Sequence, residues 1–162
     1  MTDEMVILRG LDEQFAQLHR RSITLVRAVP AEKLYWQPRQ ASGVFPVYSC
    51  GEHILRGAAV VEQTFGGITV NLWDDAFEWT LPEALSTPEL VAEYLDETEA
   101  TRQHGFAFFK TDADLLKEIA VPSGEMRTLF QLLAETLVRA AHHQGQAFAT
   151  FCLFSDARLP PI

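Results

Sequence analysis

The sequence predicts an all-α, single-domain four-helix bundle, and three observations predict it. Four stretches carry apolar residues in alternating steps of three and four, the spacing of one helix face. Each stretch is bounded by capping, proline or glycine signals. The 162 residues are enough for one core, and their 48% hydrophobic and 22% charged content is ordinary globular usage.

The first helix is expected from about Asp3 to Ala28, with Leu8, Leu11, Phe15, Leu18, Ser22, Leu25 and Val29 along one face and Pro30 closing it. Pro38, Gly43 and Pro46 make the next stretch irregular. Ser49 then caps the second helix, with Glu52 three residues later as in a capping box. Cys50, Ile54, Ala58, Val61 and Phe65 form its face, and Gly66-Gly67 is expected to end it. In the long connection that follows, "ITVNLW" reads as a short strand without a partner, and Trp73, Phe77 and Trp79 read as lining for a ligand mouth or, more plainly, as anchors that pin the loop to the bundle.

Ser86 or Thr87 caps the third helix, with Pro88 at its first position and Val91, Leu95, Thr98, Arg102, Gly105 and Phe109 facing inward. A turn at Pro122-Ser123-Gly124 leads to the fourth helix, from about Thr128 to Phe154, which faces Leu129, Leu132, Leu133, Leu137, Ala140, Ala147 and Phe151 inward. Short connections join antiparallel neighbours. The connection of roughly 20 residues between helices two and three is long enough to run back along the bundle. It therefore predicts an up-down-down-up order.

Net charge is −9, from 13 basic and 22 acidic residues, and no Lys/Arg cluster offsets it. Such a chain repels phosphate backbones, so nucleic acid is not an expected partner. No apolar run approaches the roughly 18–20 residues that span a bilayer, so no membrane partner is expected. The opening "MTDEMVILRG" lacks the apolar core of a secretory signal. The expected compartment is the cytoplasm, where Cys50 and Cys152, far apart and outside any CxxC motif, would stay reduced.

Chemistry concentrates in five histidines. His19 lies among Arg20 and Arg21 and reads as solvated, and His104 falls on the outer side of its helix. His53 and His143 sit on the flanks of the second and fourth apolar faces, so they can meet across two neighbouring helices. His142 points about 100° away from His143 and cannot serve the same site equally. Inward histidines in bundle cores gather metals; the plainer reading is a pair of hydrogen-bonded core-edge residues.

With Trp36-Gln37-Pro38 before helix two, His53 within it, and His143-Gln144-Gly145-Gln146 on helix four, the chain resembles the DinB/YfiT-like superfamily of metal-dependent enzymes. The resemblance runs from helix one to about Phe154. It implies an up-down-down-up bundle, a homodimer, a small-molecule ligand and a divalent metal, zinc or nickel, held by three histidines. It also implies metal-dependent hydrolysis or transfer of small thiols. Carried onto this chain, the metal ligands are His53 and His143; Gln146 is read as a substrate contact, and Arg139 as another on account of its charge.

One position departs from the pattern. Arg139 stands four residues before His143, where the family's third ligand belongs. Positions i and i+4 share a helix face, but a guanidinium has no lone pair to donate. At about 4 Å its charge opposes another unit charge by roughly 4 kcal/mol at an effective dielectric near 20, and a dication by about twice that. Cys50, three residues before His53, is a spare zinc ligand or plain core, and Glu52 is a spare carboxylate or simply a cap. Arg139 itself either pairs with Glu135 on a solvated face or turns the metal site into an anion site. A non-catalytic, dimeric anion-binding or regulatory protein is thus the alternative function.

Overall fold

The computed structural model describes residues 5–39, 43 and 46–159; the expected start of helix one at Asp3 lies outside them. Four long helices dominate: α1 (Val6–Ala28), α2 (Cys50–Val70), α3 (Pro88–Phe106) and α4 (Leu129–Phe151). Two of their starts follow the capping signals read in the sequence, and a third is capped locally as well. Ser49 and Glu52 close a reciprocal capping box on α2, Thr87 accepts from the Leu90 amide on α3, and Thr128 with Gln131 forms a second box on α4. The start of α1 is held by a distant group. The Asp112 carboxylate accepts from the amides of Ile7 (3.0 Å) and Leu8 (2.9 Å), satisfying donors that no local side chain caps.

Cross-helix pairs fix the topology. Asp12 and His19 on α1 meet Arg102 and Asp96 on α3, so these two helices are antiparallel. Thr64 bonds Thr136 (2.6 Å) while His53 meets His143, so α2 and α4 are antiparallel too. Glu62 accepts from Tyr94, and further along Phe65 lies on Gly105 and Phe106, so α2 and α3 run the same way. The order is up-down-down-up, as the long connection predicts. The most extensive packing is between α2 and α4.

Two apolar clusters fill the bundle. One gathers Leu25, Leu34, Cys50, Leu55, Val91 and Phe151, and the other Leu8, Phe15, Phe65, Phe109, Leu115 and Leu133. All six residues expected on the inner face of α3 are buried, including Arg102, only 3% exposed. Its charge is neutralised by Asp12 and Glu99.

Two expectations are corrected. Gly66-Gly67 do not end α2, which runs on to Val70 and caps at Asn71 in the left-handed region (φ 55°). Those glycines serve close packing instead: a Cβ on Gly67 would overlap the Trp73 ring, and one on Gly66 would come 3.0 Å from the Leu72 carbonyl oxygen. Consequently "ITVNLW" is no strand; its first half is helix and its second half a loop. The only strands among the described residues are β1 (Glu118–Ala120) and β2 (Met126–Thr128), an antiparallel hairpin around the Pro122-Ser123-Gly124 turn. Gly124 supplies the positive φ (85°) that this turn needs. The strand segments are three residues each, too short to show a two-residue alternation.

Candidate functional site

The first turns of α2 and the middle of α4 bring the two predicted histidines together. His53 Nδ1 and His143 Nδ1 are 3.5 Å apart, and the ring centroids are 5.8 Å apart. Gly57 permits the approach of the two helices. A Cβ there would lie in ordinary contact, 3.5 Å from the Ala140 carbonyl oxygen and from His143 Cβ, so little room remains for anything larger. His53 is 6% exposed and His143 half-buried.

Both imidazoles are held neutral at pH 7. Burial pulls His53 down to about 4, and the charge that His143 would carry adds to the effect. Burial also lowers His143, aided by His142, Arg56 and Arg139. A neutral imidazole keeps one ring nitrogen free as a lone-pair donor.

Position on the helix also sorts the other candidates. His142 is exposed, with its Nε2 2.7 Å from Gln146 Nε2, so Gln146 is paired to the outward histidine. Arg139 is exposed and does not pair with Glu135, whose carboxylate takes Arg127 at 2.7 Å instead. Arg139 acts on His143 through its charge. His19, expected to be solvated, is only 20% exposed, with Nε2 3.2 Å from the Asp96 carboxylate. The antiparallel α1–α3 contact buries it, which the local charge pattern does not reveal. His104 is exposed and rests on Phe108, as its position predicts.

The spare ligands are otherwise engaged. Cys50 is fully buried in the apolar cluster with Leu25 and Phe151, and burial pushes its thiol up to about 12, away from the thiolate that zinc requires. Glu52 Oε2 accepts from the Ser49 amide (2.8 Å) and hydroxyl (2.9 Å). Among the described residues, no three His, Cys, Asp or Glu side chains converge on one point. Cys50 and Cys152 are both free.

One residue that the sequence reading passed over completes the surroundings. Arg56 lies three residues after His53, on the same flank of α2. Its guanidinium carbon is 4.0 Å from the centroids of both the Tyr48 and the Phe77 rings. Tyr48 also packs edge-on against His53, with centroids 5.4 Å apart. The i+3 spacing was the available signal for Arg56; nothing local places Phe77, which arrives from the long connection.

No family model, curated protein or solved structure matches the chain. What the site can do therefore rests on its own geometry. Two facing Nδ1 atoms 3.5 Å apart are a long hydrogen bond. Two nitrogen ligands about 2.05 Å from one tetrahedral zinc would be separated by about 3.3 Å, so the pair fits as half a coordination sphere. No helix among the described residues is long and apolar enough to cross a membrane.

Proposed function

We propose that His53 and His143 form a two-imidazole centre that takes up a divalent metal ion, zinc or nickel, and works on a small molecule as a DinB-like hydrolase or thiol transferase. The observation that carries this is the 3.5 Å separation of two neutral, converging Nδ1 atoms. A metal bound there supplies Lewis acidity, lowering the pKa of water or thiol. The chain's own part is positional. Burial keeps both imidazoles unprotonated, Gly57 lies where α2 and α4 approach beside the pair, and the Ser49–Glu52 box fixes the α2 turn that carries His53. Two protein donors leave open positions for substrate, and they hold a metal more weakly than three would.

We read the protein as a cytoplasmic homodimer. The dimer is supported by an unpartnered stripe on α4, where Phe130 (44% exposed) and Val138 (68% exposed) share a face with Ala141. A second reading, anion binding without catalysis, draws on the positive charge that Arg56 and Arg139 place beside His143.

Calorimetric titration with zinc and nickel separates the two. The first reading predicts one ion per chain, lost in His53→Ala and in His143→Ala, and bound on the order of tenfold more tightly in Arg139→His, a gain of about 1.4 kcal/mol. No stoichiometric uptake by the wild-type protein would sink it and leave the second.

A further inference from the structure

The geometry points to Arg56 as the receptor for an oxyanion group, a carboxylate or phosphate, on the small molecule that the two-histidine centre acts on. This inference rests on that centre being the reaction site. Three observations carry it.

First, Arg56 has no counter-ion among the described residues. The chain holds 22 acidic residues, and the buried Arg102 is bonded to both Asp12 and Glu99. Arg56 has no carboxylate bonded to it among the described residues, and its Nε is buried without any hydrogen-bond partner. The obvious partner, Glu52, one turn earlier at i−4, is instead committed to Ser49. A buried N–H without an acceptor is unfavourable, and the aromatic contacts of the guanidinium do not satisfy it.

Second, the guanidinium is positioned by aromatic rings. Its carbon lies 4.0 Å from the centroids of both Tyr48 and Phe77, cation–π contacts that hold it in place and leave its N–H groups as donors for a ligand. The fork of those donors matches the paired oxygens of a carboxylate or phosphate.

Third, the receptor adjoins the centre. Tyr48 touches both Arg56 and His53, and the Arg56 charge reaches both imidazoles. An anionic end held by Arg56 would therefore leave the rest of the molecule beside His53 and His143. In the cavity of about 770 Å³ lined by α1 and α3, by contrast, the buried Arg102 is already neutralised by Asp12 and Glu99.

Titration of the metal-free protein with inorganic phosphate, and separately with acetate, tests the assignment by calorimetry. Arg56→Met keeps the stem between the rings and removes the fork. Arg56→Lys keeps the charge and loses the bidentate contact. The expected result is saturable one-to-one binding of at least one anion, weakened about tenfold or more in Arg56→Met and only partly recovered in Arg56→Lys. The tighter anion names the substrate group. Absence of saturable binding in the wild type overturns the proposal, and so does undiminished binding by either Arg56 variant. If Arg56→Met does not fold by circular dichroism, Arg56→Lys decides alone. The double variant His53→Ala/His143→Ala is expected to lose metal and keep the anion. Anion binding by a wild-type protein that takes up no metal would remove the metal reading and leave the Arg56 site standing; metal uptake without anion binding would do the reverse.

Discussion

Arg102 is buried on the inner side of α3 and Arg56 is half-buried on the flank of α2, and their surroundings differ completely. Arg102 donates through Nε and Nη2 to Glu99, at 2.8 and 2.7 Å, and through Nη1 to Asp12. At 3% exposure its loss would strand a nearly buried Glu99. Arg102→Met is expected to cost about 3–5 kcal/mol in urea denaturation; a cost below about 1 kcal/mol would show that the network is worth no more than a surface pair. Arg102 was legible in the sequence, because the steps of three and four placed it on the core face of α3. Arg56 was not. Its role depends on Phe77 arriving from the connection, and no period within α2 encodes that. The histidine pair was half legible: helical flanks showed that His53 and His143 could meet, while their separation depends on how closely α2 and α4 approach at Gly57.

Among the elements, capping and termination were read with unequal success. Local side chains start α2, α3 and α4, so Ser49, Thr87 and Thr128 could be found in sequence. The start of α1 depends on Asp112, more than a hundred residues away, which no local signal reveals. Gly66-Gly67 misled because glycine has two uses, ending a helix and admitting a close neighbour, and here the neighbour is the Trp73 ring. Gly105 belongs to the same class: a Cβ there would lie 2.5 Å from Phe65 Cδ1, on a ring that is fully buried. Gly105→Ala is therefore expected to lower stability by about 1–3 kcal/mol from overpacking, despite the better helix propensity of alanine. Thermal or chemical denaturation checks this, and a stabilised variant would mean that Phe65 can move aside.

Across the whole molecule, the length of one connection was enough to give the up-down-down-up order, because only a return along the bundle lets α2 and α3 run parallel. That order brings α2 against α4 and puts two neutral histidines face to face. It also makes stability depend on pH in a definite direction. An unfolded histidine takes up a proton near pH 6.5, whereas folded His53 does so only near 4. Between these values the unfolded state binds more protons, so His53 stabilises the fold fully above about pH 6.5 and progressively less as the pH falls toward 4. His143, also lowered, acts in the same direction. Denaturation of the metal-free protein should show stability falling by up to about 1.4 kcal/mol per pH unit for each such histidine, mostly before the carboxylates titrate, and falling less in His53→Gln. A flat profile between pH 6.5 and 5 would mean that the pair is not held neutral. If this pair is one centre for one metal ion, nitrogen-15 NMR of the histidine rings during zinc titration will show it. Nδ1 of His53 and Nδ1 of His143 are expected to shift together and saturate at one zinc per chain, while His142 and His104 stay where they were; two rings that remain unmoved, or that respond at different stoichiometries, would rule out a shared centre.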